Sequence, residues 1–153
     1  RLANGLRNIK NLDHIADESV SLDEKKRKEI TDAIQGLYDA LNDDLNTSVA
    51  LGHLFVLLKY INMIYMQQLV PAALGEELFN ALKEHYITFF EDILGLQEEK
   101  TKGVSVINGM LNLYKEYKLN KQYDKIDEIR NYFKDQGLAI RDMKHRIDWA
   151  YDE

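Results

Sequence analysis

Residues 43–65 read DDLNTSVALGHLFVLLKYINMIY, and their pattern decides the fold class. The stretch opens on Asp43-Asp44 and Asn46-Thr47-Ser48, side chains that accept hydrogen bonds from the first unpaired N–H groups of a helix, with the acids at the positive end of its dipole. Leu51, Leu54, Phe55, Leu58, Ile61 and Tyr65 then recur three and four residues apart, the spacing of one helix face. Gln67-Gln68 ends the pattern.

Working outward, the same periodicity continues on both sides. Upstream, Ser21 followed by Glu24 has the spacing of a capping box, and Ile30, Ile34, Leu37, Tyr38 and Leu41 mark one face of the helix it would start. Leu2, Leu6 and Ile9 are already in helical phase at Arg1, which reads as a cut through a helix and as a C-terminal fragment of a longer protein. Downstream, Pro71 suits the opening turn of a fourth helix. That helix carries Leu78, Leu82, Tyr86, Phe89, Ile93 and Leu94 and should stop at Gly95 in a left-handed cap. Residues 1–97 are therefore expected to form a four-helix bundle. The polar run 98–103 reads as a linker, and 104–153 as a second module. In that module one helix spans about Val104 to Leu119 and another about Lys121 to Gln136, capped at Gly137. Leu138-Ala139-Ile140 and Ile147 to Trp149 flank a polar turn and read as a short β-hairpin. The expected fold class is mainly α: a four-helix bundle followed by a small two-helix module with a C-terminal β-hairpin.

At 153 residues the chain is long enough to bury most of its apolar surface without a staple. It has no cysteine, which excludes disulfides and thiolate metal sites and fits a cytoplasmic setting. No apolar run approaches the ~20 residues needed to cross a bilayer, and no signal-peptide core is visible, so no membrane partner is expected. The net charge of −6 argues against a free-standing electrostatic nucleic-acid binder. Its distribution is uneven. Residues 1–100 balance at −7 and residues 101–153 at +1, so basic side chains concentrate in the second module.

His14, His53, His85 and His145 show no pairing of the kind that binds a metal on a helix, and each has a surface or packing explanation. There is no glycine-rich phosphate loop and no serine nucleophile elbow. Asp43-Asp44 reads as capping rather than as an acid/base pair. No catalytic or metal-binding residue is expected, nor a cofactor held by this chain, and the chain should be inactive as an enzyme by itself. The stronger constellation is in the second module: Lys115, Lys118 and Lys121, then Tyr123, Asp127 and Arg130, then Arg141, Asp142 and Trp149. Lys118 and Lys121 also suit a helix C-terminus, Asp127 and Arg130 could pair on one face, and Trp149 could simply cover a small core.

These residues resemble a known family, the C-terminal part of cysteinyl-tRNA synthetases. The resemblance rests on Leu41-Asn42-Asp43-Asp44-Leu45-Asn46-Thr47 with Ala50 and Leu54-Phe55, on Gly95-Leu96, and on the order and spacing of Lys121, Asp127, Arg130, Gly137, Asp142 and Trp149. It implies a parent ligase that joins cysteine to its tRNA using ATP, with a zinc ion selecting the thiol. It also implies cysteine tRNA and an upstream catalytic domain of the same chain as partners. Here it implies a bundle bracing the tRNA and a module binding the anticodon through Lys118, Tyr123, Asp127, Arg130 and Asp142, supported by Lys121, Arg141 and Trp149. Lys118 stands where arginine is usual, Tyr123 where tryptophan is frequent, Met143 to Ile147 replace a turn containing glycine and proline, and Ala150 stands where arginine is common. A helical protein–protein interaction module without an RNA role is the competing reading, and a cysteine-using ligase relative without tRNA is a third.

Overall fold

The computed structural model describes residues 1–14, 17, 19–97, 103–144 and 146–152. It divides into two compact units, Arg1–Glu98 and Glu99–Glu153. Apart from Gly103, the linker expected at 98–103 lies outside the described residues.

The first unit contains α1 (Leu2–Lys10), α2 (Glu24–Asn42), α3 (Thr47–Tyr65) and α4 (Glu76–Thr88). α3 is the central helix. Its buried residues Leu54, Leu57, Leu58, Ile61, Ile64 and Tyr65 meet Leu6 and Ile9 of α1, Ile30, Ala33 and Leu37 of α2, and Phe79, Leu82 and Tyr86 of α4 in one core. α3 is long and apolar enough by length and composition to cross a membrane, which corrects the expectation that no run approaches that length. Its apolar side chains are used in the bundle instead.

Polar contacts pin the helices at their edges. Lys59 Nζ and the Tyr60 hydroxyl both donate to Glu29, at 2.7 Å each, joining α3 to α2. The Tyr86 hydroxyl donates to the Leu2 carbonyl at 2.9 Å, and Lys83 Nζ to that of Leu12 at 2.8 Å, joining α4 to the start of the chain. Burial pushes the Tyr86 phenol well above its ordinary range, so it stays a neutral donor.

Three local expectations are corrected. The cap of α2 is Asp23, whose carboxylate accepts from the N–H groups of Lys25 and Lys26, not Ser21. The N–H of buried Leu22 is held instead by the carbonyl of Ala73 at 2.8 Å, so residues 21–22 stay extended and the helix begins later. Pro71 opens a separate 3₁₀ turn, Pro71–Leu74, and Gly75 at φ +75° breaks the chain before α4 begins. Phe55 and Tyr38 are exposed while Leu57 and Ala33 take the inward positions. The Asn46 side chain does cap α3, accepting from Val49 N–H. α4 continues into a single π-helical turn, Phe89–Ile93, which ends where Gly95 at φ +62° lets the Leu96 N–H reach the Phe90 carbonyl.

The second unit contains α5 (Val104–Leu119), α6 (Tyr123–Asp135) and the antiparallel strands β1 (Leu138–Asp142) and β2 (Ile147–Tyr151). The helices and hairpin close over Leu111, Tyr114, Ile126, Ile129, Phe133, Leu138 and Trp149. Gly137 at φ +68° turns α6 into β1. The expected fold class is the one observed.

Candidate functional site

The geometry around Asp142 follows from strand alternation. In the register Leu138↔Tyr151, Ile140↔Trp149, Asp142↔Ile147, these six residues share one face of the hairpin, and five of them belong to or pack against the apolar core of the unit. Asp142 is the last of its row. Its carboxylate, with only 15% of the side chain exposed, therefore turns under the rim of the core toward α5.

There it meets Tyr114 and Lys118, which are four apart and so lie on one face of α5. Lys118 Nζ donates to both carboxylate oxygens at 2.7 Å. The Tyr114 hydroxyl, on a fully buried ring, donates to Oδ2 at 3.2 Å. From the other side Arg130 of α6 donates to the Tyr114 oxygen through Nε at 3.0 Å and Nη2 at 2.7 Å, with Nη2 4.0 Å from Asp142 Oδ2. Burial pushes the Tyr114 phenol up and Arg130 opposes the shift. The neutral hydroxyl thus accepts from the cation and donates to the anion, tying α5, α6 and β1 together.

Of the residues singled out in the sequence, the structure brings Lys118, Arg130 and Asp142 into this network. On α6, Tyr123, Asp127 and Arg130 are spaced four and then three residues apart and form one stripe. Tyr123 is 65% exposed. Asp127 is exposed and makes no hydrogen bond or ion pair among the described residues; the pairing with Arg130 is not formed, because Arg130 turns to Tyr114. Lys121 sits at φ +56° in the turn after α5, where the Gln122 N–H closes on the Tyr117 carbonyl. Arg141 lies on the opposite hairpin face, 3.5 Å from Asp148 across the strands. Trp149 is buried in the core with its ring edge on Tyr151.

Tyr114 was not legible as a member of the site. It is one of nine tyrosines, and only its place four residues before Lys118, in phase with Leu111, hinted at a buried ring with its hydroxyl near a cation. Replacing it by phenylalanine keeps the ring in the core but removes the acceptor of Arg130 and one of the donors to Asp142. Thermal unfolding of the second unit is expected to show a loss of about 1–2 kcal/mol; an unchanged melt would mean that the hydroxyl contributes nothing to the unit.

Among the described residues no group of three or more His, Asp or Glu could hold a metal ion. His85 Nδ1 lies 2.8 Å from the Tyr38 hydroxyl, and His14 packs on the Phe79 ring. His53 lies against Gly36, and His145 falls outside the described residues.

Comparison with known proteins adds identity to this geometry. The DALR domain model matches residues 37–98, from the second half of α2 to the end of the first unit. Over 154 aligned residues the chain is 46% identical to the cysteine–tRNA ligase of Cytophaga hutchinsonii, covering 100% of this chain and 31% of that protein. The chain is homologous to the C-terminal part of cysteine–tRNA ligases. The corresponding protein of Fusobacterium nucleatum is 29% identical over 98% of the chain and 33% of its own length; that of Bacteroides thetaiotaomicron is 32% identical over 76% and 24%. The chain thus spans between about a quarter and a third of these relatives. No solved structure matches it. The DALR match covers the bundle only from the second half of α2 onward and stops before α5, so the Lys118, Arg130 and Asp142 network lies beyond it.

Proposed function

We propose that the chain is the tRNA-holding part of a cysteine–tRNA ligase, and that its second unit reads the anticodon. The observation that carries this reading is the exposed stripe Tyr123-Asp127 on α6, an unpartnered acceptor beside an exposed ring, flanked by the half-exposed cations Arg130 and Lys118. Bases splayed from a loop present N–H donors on their Watson–Crick edges. An ionised carboxylate accepts only, so Asp127 suits them, while Tyr123 offers a face for stacking worth ~1–3 kcal/mol per base. Lys118 and Arg130 offset the repulsion between Asp127 and phosphate.

Asp142 takes a different role from Asp127 in this proposal. Both its oxygens are engaged by Lys118 and Tyr114, so it orients the cations and would meet a base only by releasing Lys118. The bundle would brace the rest of the tRNA. The joining of cysteine to tRNA with ATP, and the zinc that selects the thiol, would belong to an upstream catalytic domain in the cytoplasm; the residues described here offer zinc no ligand set.

Titration of this chain with cysteine tRNA and with single-base anticodon variants tests the reading. Asp127→Asn keeps the side chain's size but places an amide donor against base donors, and should cost ~1–3 kcal/mol of cognate preference while leaving binding to other tRNAs equal or slightly tighter. Asp142→Asn should lower the melting temperature of the second unit more than it alters preference. A cognate-to-variant ratio unchanged by Asp127→Asn would remove Asp127 as a reader.

A further inference from the structure

Asp127 and Arg130 lie three residues apart on the exposed stripe of α6, a spacing at which opposite charges ordinarily pair. They do not pair here. Arg130 commits two of its nitrogens to the Tyr114 hydroxyl, Nε at 3.0 Å and Nη2 at 2.7 Å. That anchor cannot follow the arginine outward, because Tyr114 is 0% exposed. Its polarity is fixed as well. The hydroxyl proton goes to Asp142 Oδ2 at 3.2 Å, which leaves the lone pairs of the oxygen to the two N–H groups of Arg130. Asp142 is in turn held by Lys118 on both oxygens. Arg130 is therefore drawn back against α5 although half of its side chain is exposed, and Asp127 keeps no bonding partner among the described residues.

We infer that Tyr114 is a positioning residue for RNA recognition: its hydroxyl holds Arg130 away from Asp127 and so keeps the Asp127 carboxylate open to a base. The inference rests on the reading of Asp127 as a base acceptor given above, and it adds the means by which that acceptor stays free. Once the hydroxyl is removed, two carboxylates compete for Arg130. Asp142 is already neutralised by Lys118, whereas Asp127 is exposed and unpaired, so the guanidinium swings to Asp127 and occupies the oxygens a base would use. Arg130 thus acts in two opposite ways. Held by Tyr114 it is a cation beside the reading carboxylate; released, it blocks that carboxylate.

The experiment measures binding of this chain to cysteine tRNA and to single-base anticodon variants, with Asp127→Asn as the reference for loss of the acceptor. Tyr114→Phe should lower the cognate-to-variant ratio by roughly two- to fivefold, the equivalent of one surface ion pair that a base must displace. Adding Arg130→Met removes the blocking cation. The double variant should bind every tRNA more weakly yet regain the wild-type ratio, a recovery that damage to the fold would not give. Arg130→Lys provides a second route if Tyr114→Phe loses the fluorescence of buried Trp149. A single nitrogen cannot grip the hydroxyl as the arginine fork does, so the ammonium pairs with Asp127 and the ratio falls, whereas Arg130→Met alone keeps the ratio at reduced affinity. Independently of RNA, the carboxyl carbon signal of Asp127 in NMR spectra should move in Tyr114→Phe and move back in the double variant. A wild-type ratio in folded Tyr114→Phe, a ratio that stays low in the double variant, or an Asp127 signal that does not move overturns the inference. If Asp127→Asn itself leaves the ratio unchanged, or the wild-type chain binds no tRNA, the base-reader reading fails and this inference with it. A ratio lowered by Asp127→Asn but not by Tyr114→Phe removes the role of Tyr114 alone.

Discussion

Replacing Phe133 by alanine is expected to unfold the second unit and leave the bundle folded. Phe133 is 1% exposed at the centre of the cluster formed by α5, α6 and the hairpin. Truncating a buried phenylalanine costs about 3–5 kcal/mol through lost burial and the cavity left behind. A unit of this size has a total stability of roughly 3–7 kcal/mol, so one substitution removes most or all of it. The first unit has its own core around α3 and should not follow. Amide hydrogen exchange should lose protection in α5, α6, β1 and β2 while α2 and α3 keep theirs. A single transition in which both units lose protection together would show that they do not fold separately, and retained protection in α5 and α6 would show that the small core tolerates the cavity. Tyr114, Arg130 and Asp142 meet only when this core is closed, so the tRNA binding proposed for the second unit should be absent in the same variant.

The second large effect is overpacking at Gly5. A methyl group there would overlap the Leu58 side chain and come within 2.6 Å of the Tyr86 hydroxyl. Neither neighbour can retreat, since Leu58 is 6% and Tyr86 0% exposed, and the hydroxyl is already bonded to the Leu2 carbonyl. Gly5→Ala should cost about 3 kcal/mol, lowering the melting temperature of the bundle by about 10–20 °C. Gly52 supplies the contrast within the same unit. Nothing lies within 4 Å of a methyl group built there, it is exposed in α3, and Gly52→Ala should stabilise by roughly 0.5–1 kcal/mol through helix propensity. Opposite signs for the same change would show that close approach of α1, rather than helix propensity, is what Gly5 provides. A neutral result at Gly5 would mean that α1 packs more loosely than its contacts with Leu58 and Tyr86 indicate.

Element types and most helix ends were legible in the sequence because they depend on local signals: apolar periodicity, Asn46 as a cap, and Gly95 and Gly137 at positive φ. The misplaced details depend on tertiary contacts. Ser21 has the spacing of a cap, but the bond from Leu22 to Ala73 keeps that segment extended. Phe55 is as apolar as Leu54, yet three helices reach α3 and none covers the Phe55 side of it. In the candidate site, Lys118, Arg130 and Asp142 were found by spacing and by resemblance. Their mutual bonding and the hydroxyl of Tyr114 could not be read, since both depend on the register Asp142↔Ile147 and on α5 and α6 lying side by side. The same register places Arg141 on the opposite face, which spacing alone did not reveal.

That register also divides the hairpin into a stem fixed by the core and a tip that the core does not hold. The pairs from Leu138↔Tyr151 to Asp142↔Ile147 are anchored from below by Trp149 and Leu138 in the core, and a slip of one residue would turn every buried side chain outward. Beyond Asp142 the turn is closed by a bond from the Met143 N–H to the Arg146 carbonyl at 2.9 Å, and none of its described residues belongs to the core cluster. Substitutions in the tip can therefore alter its charge without moving the carboxylate at its base. The tip would then be free to change while the contacts of Asp142 with Lys118 and Tyr114 stay in place.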